Sequence, residues 1–202
     1  IKKGHVIKYR LPRNIIARMQ SLEYDRSFLA ARILLDKINA NMIISGAFGL
    51  FEKKTVIAVG GYDSSTMGED MELVVRLHEF SRMNRKPYKI DFAQDAICWS
   101  QTPEKLSELG KQRKRWQRGL FQCMWGHRKM LANPRYGAVG LLSYIYFLFY
   151  ELLSPFIELF GVLTMVLSVM MDMLNVKFML AFLACYALYG ILLTLTAYFS
   201  RI

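Results

Sequence analysis

An α/β domain running into transmembrane helices is the fold class the sequence predicts. Three observations predict it. Segments with helical apolar spacing alternate with short β-rich runs through the first two thirds of the 202 residues. Charge is confined to that part: of the 27 Lys and Arg only Lys177 and Arg201 lie beyond residue 137, and of the 16 Asp and Glu only Glu151, Glu158 and Asp172. Finally, Phe178–Phe199 is an uncharged run of 22 residues, long enough to cross a bilayer.

The division implied is a basic part over 1–136 and a membrane region over 137–202. A basic soluble part beside an apolar tail points to anionic partners at a membrane; phosphate-bearing ligands, nucleic acid and anionic lipid all fit that charge. The three cysteines, Cys98, Cys123 and Cys185, have neither zinc-site nor redox-pair spacing, which favours a reducing compartment. The opening Ile1-Lys2-Lys3-Gly4-His5 has no initiator methionine and no signal-peptide pattern, which predicts a chain that begins within a domain.

Residues 14–39 read as one long helix. Ile15, Met19, Leu22, Phe28, Leu29, Ile33 and Leu34 fall near one stripe, with Arg18, Glu23, Arg26, Arg32 and Lys37 elsewhere. Such a helix either packs on a core or lies on a membrane surface. Met42–Phe51 is apolar, broken by small residues, and predicts a strand whose glycines allow close approach. A turn or two of helix follows over 53–59, then a turn at Gly60-Gly61-Tyr62-Asp63. Leu73, Val74, Leu77 and Phe80 predict a helix over 69–83, which Lys86-Pro87 brings to a stop. Residues 88–93 and 96–99 predict strands. Thr102-Pro103-Glu104 predicts the start of a helix running to about residue 132, with a possible break at Gly110, and Asn133-Pro134 ends it.

Gly137–Met171 is 35 residues long. As a straight helix it would measure ~52 Å, against a hydrocarbon core of ~30 Å. A first part at the interface or inside protein, then a span from Leu153 or Pro155 to Met171, resolves the excess. Glu151 and Glu158 share a face that should turn from lipid. The basic residues before the first span place the soluble part in the cytoplasm by the positive-inside rule, and Arg201 returns there after the second: a multi-pass protein of the cell membrane.

Two clusters could carry chemistry. Glu69-Asp70 opens the 69–83 helix. Acids there complement the helix dipole, an ordinary start. The same dipole and backbone N–H groups keep a carboxylate ionised, as a proton acceptor must be. In Lys111-Gln112-Arg113-Lys114-Arg115-Trp116, helical spacing puts Gln112, Arg115 and Trp116 on one face. Guanidinium suits phosphate and indole suits stacking. The plain alternative is a solvated basic helix near anionic lipid. His5, His78 and His127 have no visible partners in the sequence and receive no role.

In this order, before membrane spans, the two clusters resemble the C-terminal part of membrane-integrated family-2 glycosyltransferases, the group of cellulose, chitin and hyaluronan synthases. The family's Thr-Glu-Asp triplet stands here as Gly68-Glu69-Asp70, and its Gln-x-x-Arg-Trp motif is complete as Gln112–Trp116. Ser45-Gly46-Ala47 and Gly60-Gly61-Tyr62-Asp63 resemble the acceptor-side strand and turn. The resemblance implies the C-terminal part of a GT-A-type domain and inverting sugar transfer at the cytoplasmic membrane face. It makes Asp70 the general base, with Glu69 in support. Gln112, Arg113 and Arg115 would lie at the donor diphosphate, Trp116 at the acceptor sugar, and Ser45 and Gly46 at the acceptor-side strand. It also implies as partners a nucleotide-sugar donor, a glycan or lipid-linked acceptor and membrane lipid, without nucleic acid. A divalent cation, Mg2+ or Mn2+, would be held mainly by an N-terminal half with an Asp-x-Asp motif. No Asp-x-Asp occurs here, so the chain is expected to be inactive alone, and no metal ligand is assigned. Alternative readings are transfer of one sugar to a polyprenyl phosphate or other lipid, and a non-catalytic basic module anchored in the membrane.

Overall fold

The computed structural model describes residues 12–27, 31–93, 96, 98 and 100–199, with side chains to 196. His5, Phe28, Leu29, Arg201, and Ile97 and Trp99 of the second expected strand lie outside the described residues. The elements are helices: α1 (Ile15–Arg26), α2 (Arg32–Lys37), α3 (Lys53–Ala58), α4 (Glu69–Met83) and α5 (Leu106–Gly126). Two 3-10 turns follow at Arg128–Met130 and Pro134–Tyr136. A wide, π-type helix comes next over Val139–Ser143 and Phe147–Leu152, with α6 (Tyr144–Tyr146) between; then α7 (Ser154–Met170) and α8 (Val176–Phe199).

α4 is the centre. Met71, Leu73, Val74, Val75, Leu77 and His78 are all buried, so two faces of one helix feed two cores. Met71 and Val75 join Met42, Cys123, Met124, Met130, Tyr136, Val139, Tyr144 and Phe147, where α4 and α5 meet the start of the membrane region. Leu73, Val74 and Leu77 join Ile90, with Ile44, Phe51, Val56, Val59 and Tyr88 around them. Each fully buried aliphatic side chain contributes about 1.5–3 kcal/mol. Arg76 ties in the Gly60-Gly61 turn. Its guanidinium donates to Val59 O at 2.6 Å and Gly61 O at 2.7 Å, and pairs with Glu72 at 2.6 Å. Gly60 and Gly61 take φ of +92° and +75°, open to glycine without strain.

The expected α/β, GT-A-type class is corrected by this architecture: among the described residues there is no strand and no sheet. Of the three expected strands, 42–51 and 88–93 lie as irregular segments, because a strand needs a ladder partner and neither has one among the described residues. Side chains satisfy their backbone instead. Asn39 Nδ2 donates to Tyr88 O and Asn39 Oδ1 accepts from Ile90 N; Asp36 Oδ1 accepts from Phe92 N; His78 Nε2 donates to Asn41 O.

Helix ends also move. α5 starts at Leu106, not at Thr102, because the carbonyls of Pro103 and Glu104 are taken by Gln20 Nε2 and Asn14 Nδ2 of the α1 region. α5 runs through Gly110 unbroken. α1, capped by the Asn14 side chain, packs through Ala17 and Gln20, while Ile15, Met19 and Leu22 of the expected apolar stripe point outward. α1 lies against α8, with Arg26 beside Ala187, Gly190 and Thr194.

Among the described residues one helix, over Val176–Thr196, is alone long and apolar enough to cross a bilayer. Val139–Leu152 and Ser154–Met170 meet that requirement only together and are bent by 49°. The bend has a local cause. Pro155 has no N–H for the carbonyl of Glu151 four residues earlier. Gln117 Nε2 of α5 fills the gap, donating to Leu152 O at 2.8 Å and lying 3.4 Å from Glu151 O.

Candidate functional site

The head of α4, the 44–49 loop, the 112–116 turn of α5 and the first membrane elements enclose an open cleft of about 3510 Å³. All eight residues singled out in the sequence line it: Ser45, Gly46, Glu69, Asp70, Gln112, Arg113, Arg115 and Trp116. The crossing that brings them together is a contact of glycines. A Cβ on Gly119 of α5 would stand 2.7 Å from Gly68 N, and one on Gly68 would stand 3.1 Å from Gly119 Cα. Glycine in the triplet's first place is therefore a packing requirement here. Gln122 secures the same crossing, its Oε1 accepting from Met67 N at 2.9 Å.

Asp70 uses both carboxylate oxygens on backbone. Oδ2 accepts from Gly46 N at 3.0 Å and Oδ1 from Met71 N at 2.8 Å, fastening the small-residue loop to the head of α4. Glu69 is exposed beside it. Arg113 makes a two-pronged pair with Glu23 of α1, at 2.8 and 2.6 Å, and stacks over Trp116 at 4.8 Å. Tyr24 stands 6.4 Å from the same indole, which stays 39% exposed. Arg115 is exposed on the cleft, and Gln112 Oε1 is buried with no hydrogen-bond partner.

Sequence reasoning missed Arg32 of α2. Burial pulls its guanidinium down to about 10, against the opposing influence of Asp70 and Glu151. No motif surrounds Arg32, so nothing in the sequence marks it. It missed the far wall too, built by Tyr146, Tyr150 and Glu151 of the π-type helix and by Tyr186 and Tyr189 of α8. His78, given no role, is a buried structural residue. Its Nδ1 lies 2.7 Å from Tyr88 Oη and its Nε2 2.8 Å from Asn41 O. A carbonyl only accepts, so Nε2 carries the proton and Nδ1 accepts from the tyrosine.

The expected catalytic function is corrected at this point. Among the described residues no three His, Cys, Asp or Glu side chains converge on a point where a metal ion could be held. The described residues by themselves offer no ligand set for a divalent cation, which the resemblance assigns mainly to an N-terminal half, and among them no sheet carries an acid-rich catalytic centre. The GT-A, nucleotide-sugar and transferase reading of this chain, with Asp70 as general base, does not match a helical module of this kind. What the arrangement offers is a binding cleft: an exposed indole framed by arginine, an unpaired amide oxygen, and tyrosines on the membrane side.

A helical module with one helix long and apolar enough to cross a membrane, and a cleft beside it, is the class this fold defines. The chain belongs to glycosyl transferase family group 2, whose model matches residues 4–202. It is 32% identical over 120 residues to the poly-beta-1,6-N-acetyl-D-glucosamine synthase of Staphylococcus aureus (strain COL), covering 59% of this chain and 26% of that protein. The synthase of the same name from Staphylococcus epidermidis (strain ATCC 35984) is 31% identical over the same shares. The chain thus spans about a quarter of the length of these curated relatives. No solved structure matches it.

Proposed function

We propose that the chain works as a non-catalytic, membrane-anchored binding module of its family, holding a saccharide at the foot of its membrane helices. The single observation that carries this is the shared cleft of Trp116, Gln112 and the tyrosine wall. An indole face with a hydrogen-bonding rim suits the apolar face and hydroxyls of a sugar ring. The basic residues preceding the first span favour the cytoplasmic side for the cleft, with the bent pair and α8 both crossing the bilayer. The relatives' names supply the probe, an oligomer of N-acetylglucosamine.

The test is titration of that oligomer into the full chain in lipid nanodiscs, followed by tryptophan fluorescence. Saturable quenching that Trp116→Ala abolishes is expected, together with no sugar transfer from a labelled nucleotide-sugar. Absence of binding, or a transfer product made by this chain alone, overturns the proposal.

A further inference from the structure

At the opposite end of the α4–α5 crossing from the cleft, His127 lies between two carboxylates of α4. Its Nδ1 stands 2.6 Å from Glu79 Oε2 and its Nε2 3.5 Å from Glu72 Oε1. The His127 and Glu72 side chains are each only 12% exposed, and Glu79 is 32% exposed. Glu72 divides its two oxygens: Oε2 takes the Arg76 guanidinium at 2.6 Å, which leaves Oε1 for the histidine. Glu72 and Glu79 stand two turns apart on α4, so the imidazole spans one face of that helix. His127 is also the C-cap of α5 and the start of the 3-10 turn, its carbonyl accepting from Met130 N at 2.9 Å. That turn seats the membrane region. Met130 is fully buried with Val139 and Tyr144, and Ala132 N donates to Gly140 O at 3.1 Å. A Cβ on Gly140 would stand 2.5 Å from Met130 O.

We infer that His127 is a proton-operated clasp: as imidazolium it fastens the end of α5 and the seat of the membrane region to α4, and on losing its proton it lets them loosen. A neutral imidazole has one N–H and one lone pair. With Nδ1–H kept on Glu79, a bare lone pair faces Glu72 Oε1; only the doubly protonated ring donates to both carboxylates. The other groups around the ring hold their charge across the neutral range. Arg76 on Glu72, Arg128 beside Trp125 and Arg135 near Tyr136 stay cationic. Burial pushes the Cys123 thiol up to about 12, with Glu72 and Asp70 adding to the effect, so it stays neutral. Burial, with Glu79 nearby, likewise raises the Tyr136 phenol. Histidine is the side chain whose charge ordinarily changes between pH 5 and 8. The clasp therefore closes toward the acid side and opens toward the alkaline side. Glu79 lies ~14 Å along α4 from Asp70, and the clasp stands whatever the cleft binds.

The test is backbone hydrogen exchange of the full chain in lipid nanodiscs, read at the Met130 and Ala132 amides and corrected for the intrinsic pH dependence of exchange. Corrected exchange should be roughly tenfold faster at pH 8.5 than at pH 5.5. His127→Gln should exchange fast at both, with less than about a twofold difference. Glu79→Gln, which retains the histidine, should lose most of the pH response and serves as the reporter if His127→Gln does not fold. His78→Gln, whose ring belongs to the separate chain through Tyr88 and Asn41, should keep the full response. Equal protection at the two pH values in the unaltered chain overturns the clasp. A response that survives in His127→Gln or in Glu79→Gln, or one that vanishes in His78→Gln, overturns it equally.

Discussion

Gly119 and Gly68 meet backbone to backbone, and that contact sets the distance between the acid-headed α4 and the basic α5. Gly119→Ala puts a methyl 2.7 Å from Gly68 N and 2.8 Å from its Cα, against backbone that cannot rotate away. Overpacking of this kind costs about 1–3 kcal/mol. Gly126→Ala in the same helix meets nothing within 4 Å and should be neutral or gain roughly 0.5–1 kcal/mol from helix propensity. Thermal unfolding of the two variants in one detergent checks this; equal melting temperatures would sink the packing argument.

Asp70 holds the 44–49 loop through one bond to Gly46 N. Asp70→Ala removes the acceptor and should cost about 1 kcal/mol, read most directly as faster hydrogen exchange at the Gly46 amide. Asp70→Asn keeps one side-chain oxygen and should fall between. If Gly46 exchanges at the same rate in all three, the carboxylate is not what fixes the loop.

α4 was fully legible: its apolar spacing and acid start gave Glu69–Met83, as observed. The meeting of Asp70 and Trp116 in one cleft was legible too, from the order of two motifs. The sheet was misread because alternation and small residues describe an extended chain, whereas pairing depends on a distant segment. Asn39, Asp36 and His78 took over those backbone groups, and no local pattern announces that. The expected apolar stripe of α1 is not its packed face: Ile15, Met19 and Leu22 are exposed, and α1 packs instead through Ala17 and Gln20, a choice set by residues as distant as Pro103 and α8. Arg113 was read as a phosphate ligand, and its pairing with Glu23 across ninety positions is likewise invisible in sequence.

His78 should leave a mark on the acid side of the stability profile. Burial brings its imidazole down from 6.5 to about 4, partly opposed by the bond to Asn41 O and aided by nearby Arg82. The unfolded chain therefore takes up the proton first as pH falls. Stability from this group is complete above pH 6.5 and is lost progressively down to about pH 4. The full swing is of the order of 3 kcal/mol. His78→Gln should be less stable at neutral pH yet flatter between pH 7 and 4. Parallel profiles for the two proteins would remove His78 as the source.

The Glu23–Arg113 pair tests how far α1 orders the cleft. Both side chains are well exposed, at 52% and 36%, so the pair itself contributes only about 0.2–1 kcal/mol. Its positional effect should be larger than its energy, because Arg113 lies on the Trp116 ring. Glu23→Gln should barely shift the melting temperature while changing Trp116 emission and its quenching by iodide. An unchanged Trp116 signal would show that the indole is held without help from α1.

Gln117 joins the cleft helix to the bend in the membrane region, one residue beyond Trp116. The carbonyls at Glu151 and Leu152 are open because Pro155 breaks the ladder, and the amide of Gln117 reaches into the gap. Gln117→Leu leaves those part-exposed carbonyls without that side-chain donor, at a cost of about 0.5–1.5 kcal/mol. Spin labels placed on either side of the 49° bend should then report a broader distance distribution. Pro155→Ala restores an N–H to the ladder and should straighten the helix. On that background Gln117→Leu should cost much less, since its partner is already satisfied. The double-mutant cycle therefore yields a coupling term well away from zero if Gln117 acts through the break. Additive effects of the two substitutions would mean that the amide and the bend are independent.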